Sequence, residues 1–198
     1  LSPSSAASDV YKRQVLDVAE SASADLPTSS PYVERDSGLK AAVPMDDAYC
    51  FYYRENIECL EASGFEVTTF RPVDGDPLPD ADMYYLGGGY PELYARELSE
   101  NRDFLEGLKA ESDSGKVVIG ECGGLMTMCS SITDKDGVRF GMSGIFEADA
   151  RMTGVRHGPT YVMADATSDN PVFKGSVRGH EYHYSCLLYT SDAADDGE

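Results

Sequence analysis

The sequence has few basic residues, no long apolar run and no closely spaced cysteine pair, and each absence excludes a class of protein. Its 198 residues include 16 Lys and Arg against 35 Asp and Glu, a formal net charge of −19. Such an acidic chain repels phosphate backbones, so we expect no nucleic-acid partner. No window contains the roughly 20 apolar residues of a membrane helix, so we expect no membrane partner. The five cysteines form no C-x-x-C pair, which favours a reducing, cytoplasmic location.

The two ends of the chain look like translated adapter DNA. Residues 4–14 read SSAASDVYKRQ and residues 186–195 read CLLYTSDAAD. These two peptides correspond to a transposase adapter used for sequencing libraries and to its reverse complement. We therefore interpret residues 1–14 and 186–198 as adapter translation and leave them out of the fold prediction. Residues 15–38, rich in Ser, Ala, Pro and acids, are interpreted as a linker or remnant of a preceding domain, and residues 39–185 as the folded domain.

Short apolar segments alternate with helical patterns from residue 39 onward. Apolar strands are predicted at residues 39–45, 65–70, 83–86 and 116–121, and helices at residues 53–63, 91–112 and 123–130. This alternation predicts an α/β fold with a mostly parallel sheet flanked by helices. Residues 138–183 predict a series of short strands, a β-rich C-terminal extension that could lengthen the edge of that sheet.

The sharpest chemical signal is the segment Gly120-Glu121-Cys122-Gly123-Gly124, which lies between a predicted strand and a predicted helix. It matches the G-x-nucleophile-x-G pattern of a nucleophile elbow, a strained turn that exposes one side chain. The N-terminus of the next helix favours a thiolate, and the N–H of Gly123 could stabilise an oxyanion. The alternative is a buried structural cysteine. Cys50, Cys59 and Cys129 lack such a context and are interpreted as small core residues.

A cysteine nucleophile needs a base, and the chain has three histidines. His180 and His183 lie in one predicted strand, where residues three apart point to opposite faces. The two therefore cannot bind one metal ion together, and we expect no metal site. One of them is the candidate partner of Cys122, whereas His157 is interpreted as a turn residue.

Three glycines follow the buried strand in the segment Leu86-Gly87-Gly88-Gly89-Tyr90-Pro91-Glu92. Their backbone N–H groups could approach a ligand closely and supply a second oxyanion donor or bind a carboxylate. Tight strand-to-helix geometry is the alternative explanation. The segment is not a phosphate-binding loop, because no G-x-x-x-x-G-K-[ST] motif occurs in the chain.

Four separated segments together resemble the glutamine amidotransferase domain of the cobyrinic acid a,c-diamide synthase family. They are residues 46–82, then MYYLGGGYPELYARELSENR, IGECGGLM and VRGHEYHYS. The resemblance implies a class I, triad-type amidotransferase domain with a flavodoxin-like sheet. It also implies that Cys122 attacks glutamine and that His183 is the catalytic histidine, with Gly88, Gly89 and Gly123 in the oxyanion and glutamine-binding region.

This sequence departs from the family pattern in two respects. Many class I amidotransferases place a glutamate two residues after the histidine, where this chain has Ser185, so the acid that orients His183 is absent or comes from elsewhere, such as Glu181. Family members also carry an N-terminal ATP-binding domain that this chain lacks. The resemblance thus implies L-glutamine as substrate, no cofactor in this fragment, and ATP, Mg²⁺ and a cobyrinate-like tetrapyrrole carboxylate for the full-length enzyme. Whether the protein forms a homodimer is left open.

The sequence leaves three other functions open. A relative that amidates nickel-sirohydrochlorin in methanogens has a similar domain, so the tetrapyrrole is not fixed. A different cysteine hydrolase could use the same elbow and histidine. A binding module that has lost activity is the third, and it predicts a folded domain with an unreactive Cys122.

Overall fold

The computed structural model describes residues 37–166 and 172–189, together with residues 13, 14 and 17. The interpretations of residues 1–14, 15–38 and 190–198 therefore fall almost entirely outside the described residues. Every element below belongs to one compact unit, Glu34–Glu198. None of its described helices is long and apolar enough to span a membrane.

The first sheet consists of four parallel strands. They are β1 (Leu39–Pro44), β2 (Phe65–Phe70), β3 (Met83–Leu86) and β4 (Val117–Gly120), paired in the order β2-β1-β3-β4. This is the strand order of a flavodoxin-like sheet. The fold class and the positions of all four strands are thus confirmed.

Apolar side chains cover both faces of this sheet, as expected of parallel strands. On one face, Ala41 and Val43 pack with Ile57 and Leu60 of helix α1 (Arg54–Ala62). On the other face, the neighbouring strand residues join a larger cluster with helices α2 (Ala95–Glu100) and α3 (Arg102–Asp113); its largest fully buried members include Tyr49, Tyr84, Phe104, Leu86, Leu98, Leu105 and Leu108. The carboxyl ends of the strands are therefore held from both sides.

The predicted helical region 91–112 is divided into a 3₁₀ turn (Pro91–Leu93), α2 and α3. Asn101 causes the last break, because its side-chain oxygen accepts a hydrogen bond from the Phe104 N–H at 3.2 Å and caps α3. Its amide nitrogen also donates to the carbonyl oxygens of Pro72 and Asp76 at 2.9 and 2.8 Å. Because of these contacts with residues outside the helical region, residues 91–112 do not form one continuous helix.

The C-terminal strands form a second sheet and do not lengthen the edge of the first, so that expectation is wrong. Helix α4 (Gly123–Met128) is shorter than predicted, because the chain extends at Cys129 into β5 (Cys129–Thr133). The remaining strands are β6 (Arg139–Gly141), β7 (Phe146–Asp165) and β8 (Ser176–Tyr189), in the order β6-β5-β7-β8.

Strands β7 and β8 form one long antiparallel hairpin where a series of short strands was expected. The register of the pairing shifts on both sides of His157, and the sequence there has the turn residues that predicted separate short strands. Strand β8 also continues through residues 186–189, so the structure places four residues of the segment interpreted as adapter within the second sheet.

The interpretation of three cysteines as small core residues is confirmed for Cys129, which is fully buried. It is wrong for Cys50 and Cys59, which are exposed. Cys50 precedes α1 in a loop, and Cys59 lies on an exposed position of α1.

Candidate active site

Cys122 lies in the sharp turn between β4 and α4. Its backbone has φ 50° and ψ −107°, and no other described residue except glycine has a positive φ. Few L-residues tolerate this conformation, which costs free energy and recurs at functional sites. The Cys122 side chain is exposed, while Gly123 and Gly124 after it are buried. The local geometry is thus that of the elbow predicted from the sequence.

Close backbone packing explains the small residues around Cys122. The Gly124 N–H donates to the Gly87 carbonyl at 3.0 Å, and the Glu121 N–H donates to the Leu86 carbonyl at 2.9 Å. A Cβ atom on Gly124 would overlap the Leu86 carbonyl oxygen, and one on Gly123 would lie 2.7 Å from Cδ of Pro91. The elbow therefore packs directly onto the loop that follows β3.

The glycine loop after β3 lies beside Cys122. A Cβ atom on Gly88 would lie 3.5 Å from Cβ of Cys122, and one on Gly123 would lie 3.2 Å from the backbone nitrogen of Gly89. The N–H of Gly123 is in the first turn of α4, where an amide has no acceptor within the helix. The structure thus brings the three glycines named from the sequence together around the cysteine.

Tyr52 fixes the position of this loop. Its hydroxyl accepts a hydrogen bond from the Gly87 N–H at 3.0 Å and donates to the Pro44 carbonyl at 2.5 Å. Burial raises the pKa of the Tyr52 phenol, so the hydroxyl keeps the proton that it donates. The hydroxyl of Tyr85 similarly donates to Glu121 at 2.9 Å, and burial raises its pKa to about 12.

His183 is half-buried in β8 and has an acceptor at each ring nitrogen. Its Nδ1 lies 2.6 Å from the carbonyl oxygen of Ser185, and its Nε2 lies 3.1 Å from a carboxylate oxygen of Glu181. A neutral imidazole carries one N–H, so it can satisfy only one of these acceptors. A protonated ring would donate to both acceptors, and a neutral ring to one of them.

Ser185, two residues after His183, thus contacts the imidazole ring through its backbone carbonyl. The Ser185 carbonyl occupies Nδ1, the nitrogen that a carboxylate orients in a catalytic triad. Glu181, the other acid considered from the sequence, contacts the opposite nitrogen. Between Cys122 and His183 the described structure contains no hydrogen bond.

Cys122 and His183 line one cavity of about 570 Å³. This cavity lies between the elbow, the loop after β3 and strand β8. Its lining is Phe51, Gly89, Tyr90, Glu92, Cys122, Leu125, Met126, Met152, His180, Glu181, Tyr182, His183, Tyr184, Ser185 and Leu187. The arrangement places a thiol, imidazole rings and backbone amides around one space.

His180 is exposed and also lines this cavity, whose lining includes every residue from 180 to 185, so residues from both faces of β8 border it. Within the part of the chain that the structure describes, no group of three His, Cys, Asp or Glu residues could hold a metal ion.

The interpretation of His157 as a turn residue is wrong, because His157 lies within strand β7. Its ring stacks on His183 with ring centroids 5.0 Å apart and an interplanar angle of 15°. The two residues face each other across β7 and β8, between the two register shifts. No local sequence signal indicates this contact, because it depends on the register of a long hairpin.

Sequence reasoning also missed Glu92 and the paired tyrosines Tyr182 and Tyr184, all of which line the cavity. The tyrosine hydroxyls lie 3.0 Å apart. Residues 180, 182 and 184 alternate with residues 181 and 183 along β8, so period-2 spacing could have grouped the tyrosines with His180. Glu92 follows the glycine loop directly, and that proximity was its one available signal.

A family model of the CobB/CobQ-like glutamine amidotransferase domain matches residues 40–196. Proteins named cobyrinate a,c-diamide synthase are similar to this chain in Methanothermobacter thermautotrophicus (41% identical) and Caldanaerobacter subterraneus (39% identical). Each match covers 77% of this chain and 34% of the relative. A solved structure titled as a glutamine amidotransferase superposes with a TM-score of 0.47 at 17% identity, covering 72% of this chain and 70% of that one.

The chain spans about a third of the length of these curated relatives. The family match itself covers both sheets and every residue of the candidate site. The chain therefore belongs to the family of CobB/CobQ-like glutamine amidotransferase domains.

Proposed function

We propose that this chain is the glutaminase part of an enzyme of the cobyrinate a,c-diamide synthase type. It would hydrolyse L-glutamine and supply ammonia for amidation of a tetrapyrrole carboxylate in the cytoplasm. One observation carries the proposal: Cys122, on a strained turn, and His183 line the same cavity. The names of the curated relatives support the tetrapyrrole substrate.

In the proposed reaction the sulfur of Cys122 attacks the side-chain amide carbon of glutamine. A C–S bond forms, and the amide oxygen becomes an oxyanion beside the N–H of Gly123 and the Gly88 loop. The imidazolium of His183 donates its proton to the leaving nitrogen, the C–N bond breaks and ammonia departs. A thioester and a neutral His183 remain.

Water completes the proposed cycle. His183 takes a proton from a water molecule, and the resulting hydroxide attacks the thioester carbon. The C–S bond breaks, glutamate leaves, and the Cys122 thiolate and His183 imidazolium are restored. The Ser185 carbonyl would accept the Nδ1–H and orient the ring, which leaves Nε2, 3.1 Å from Glu181, as the nitrogen that exchanges the proton.

Activation of the ring carboxylate would use ATP and Mg²⁺ in the whole enzyme, and the described residues of this chain do not fit that pair. They contain no group of three potential metal ligands, and the chain has no phosphate-loop motif. We therefore assign that chemistry to the part of the relatives that this chain does not span.

The test is release of glutamate and ammonia from glutamine by the full 198-residue chain and its variants. We expect Cys122→Ala to abolish turnover and His183→Asn to lower kcat by about 100-fold or more, the usual contribution of general acid–base catalysis. Cys59→Ala, which removes an exposed thiol on α1, is the matched control and should keep full activity.

Unchanged turnover in Cys122→Ala would overturn the proposal. Hydrolysis of esters or peptides with no hydrolysis of glutamine would instead favour a different cysteine hydrolase. Thermal unfolding of each variant separates loss of chemistry from loss of folding.

A further inference from the structure

The charged residues that line the Cys122 cavity are all acids or histidines. Glu92 and Glu181 contribute carboxylates, His180 and His183 contribute imidazoles, and among its described lining residues there is no Lys or Arg. A carboxylate in such a lining attracts a positively charged group. The cavity therefore suits a ligand that enters with an ammonium group.

Glu92 is held close to the elbow by its own turn. It is the second residue of the 3₁₀ turn Pro91–Leu93, which begins directly after the glycine loop. Pro91 packs against Gly123, and the Tyr90 N–H donates to the Ala48 carbonyl at 2.9 Å. The backbone of Glu92 is thus fixed relative to Cys122, so a ligand group bound by its carboxylate would have a defined position.

The two carboxylates of the cavity differ in what they contact. Glu181 lies 3.1 Å from Nε2 of His183. Glu92 is half-buried, and within the described part of the chain its side chain has no ion pair and no hydrogen bond to another residue. Loss of water raises the pKa of the Glu92 carboxyl, and a hydrogen bond with its own backbone N–H opposes this weakly. A cation beside Glu92 would restore the interactions that its charged form lacks.

We infer that the Glu92 carboxylate binds the α-ammonium group of the amino acid whose side-chain amide reaches Cys122. Glu92 is then a specificity-determining residue, which selects an α-amino acid amide over a simple amide of the same length. The inference rests on the proposed function, because it assumes that an amide is delivered to Cys122.

The test compares glutamine with glutaramate, which has the same chain and the same carboxamide but no amino group. The wild-type chain should prefer glutamine in kcat/KM. Since hydrogen bonds to charged groups contribute about 1.5–3 kcal/mol, Glu92→Gln should lower kcat/KM for glutamine by about 10- to 100-fold. The variant should leave kcat/KM for glutaramate nearly unchanged, and the loss for glutamine should appear mainly in KM.

Glu97→Gln is the matched control, because Glu97 is an exposed carboxylate on the neighbouring helix α2 and does not line the cavity. It should keep the preference for glutamine. An equal loss for both amides in Glu92→Gln, or an unchanged preference, would overturn the inference while leaving the proposed glutaminase reaction in place.

Binding provides a second readout that does not need turnover. In the Cys122→Ala background, calorimetry should show tighter binding of glutamine than of glutaramate, and Glu92→Gln should remove the difference. If the wild-type chain fails to hydrolyse glutamine but this binding difference is present, the reaction is wrong and the ammonium site stands. Equal binding of the two amides to Cys122→Ala would overturn the ammonium site.

Discussion

Among the residues that the structure describes, Cys122 is the one non-glycine residue with a positive φ. Its φ of 50° and ψ of −107° lie outside the regions that L-residues normally occupy. Surrounding contacts compensate for the strain: the Gly124 N–H is bonded to both Gly87 and Glu121, and the Glu121 N–H is bonded to Leu86. The side chain at this position is therefore exposed by packing of the backbone around it.

This strain predicts an unusual order of stability among variants of Cys122. Cys122→Gly should be more stable than Cys122→Ala by about 1 kcal/mol, because glycine adopts a positive φ without the cost that a Cβ atom brings. Urea unfolding measures the difference. The same pair at Cys59, inside helix α1, should show the reverse order, with Ala more stable by about 1 kcal/mol. Greater stability of Ala at both positions would contradict the strain.

A second residue-scale prediction concerns pH. Burial raises the pKa of the Cys129 thiol to about 11, and the charge of Asp149 adds a smaller rise. In the unfolded chain an exposed thiol has a pKa of about 8.5. Between these two pH values the unfolded chain has released a proton that the folded chain keeps, so stability falls as pH rises.

The advantage of wild type over Cys129→Ala in urea unfolding should therefore shrink by about 2 kcal/mol between about pH 8 and about pH 10.5. The reason is that a tenfold change in proton concentration changes the free energy of releasing one proton by about 1.36 kcal/mol. The other alkaline titrations are shared by both proteins and cancel in the comparison. A gap that stays constant over this range would contradict a desolvated thiol at Cys129.

At the scale of elements, the site depends on two adjacent parallel strands that end together. Strand β3 continues into the glycine loop and strand β4 into the elbow, and the two turns share backbone hydrogen bonds. Ligands of open α/β sheets generally bind outside the carboxyl ends of the strands, which is where these two turns lie. Strand β8, from the second sheet, supplies the histidine and closes the cavity.

The close approach of these two turns is possible only with glycine. Gly124→Ala would force a Cβ atom into the Leu86 carbonyl, so we expect a loss of about 3 kcal/mol or more in unfolding free energy. Gly141→Ala is the control: that glycine lies in β6 with no atom within 4 Å of an added Cβ, and its substitution should change stability by less than about 1 kcal/mol. Similar effects of the two substitutions would contradict the close packing at the elbow.

Local patterns predict the elements of the first sheet because each strand there is a short apolar run with a clear turn beside it. They fail where distant contacts decide the structure. Asn101 divides a helical region through bonds to Pro72 and Asp76, and β7 and β8 are each one long strand although their sequences contain turn residues. The second sheet was not predicted as a separate sheet, because the local pattern of its strands does not tell whether they pair with one another or with the edge of the first sheet.

The candidate site shows the same division. The residues around Cys122 and the glycine loop are neighbours in sequence or in adjacent strands, so their proximity follows from the predicted sheet. The stacking of His157 on His183 and the position of Glu92 in the cavity depend on hairpin register and on the packing of a short turn. The stacking has no sequence pattern of its own, and the signal for Glu92 is its position directly after the glycine loop.

For the whole molecule the dominant physical property is its charge. At a formal net charge of −19, repulsion among carboxylates opposes the compact state, and dissolved salt screens that repulsion. The screening length falls from about 10 Å at 0.1 M salt to about 3 Å at 1 M.

We therefore expect 1 M KCl to raise Tm by about 3 °C or more relative to 0.1 M, on the scale of about 1 kcal/mol of added stability. Choline chloride at the same ionic strength should give a similar rise, since screening depends on ionic strength more than on the cation. A lower Tm in both salts would contradict the role assigned to charge repulsion.

Acylation of Cys122 by the side chain of glutamine is the step on which the proposed function depends. Covalent labelling of the full chain with the diazo-ketone analogue of glutamine, followed by mass spectrometry of the peptides, tests this step directly. We expect one adduct, on Cys122, which excess glutamine prevents and which is absent from Cys122→Ala, while Cys50, Cys59 and Cys129 stay unlabelled. A folded chain in which Cys122 stays unlabelled, or in which the exposed Cys59 labels equally well, would contradict the acylation of Cys122.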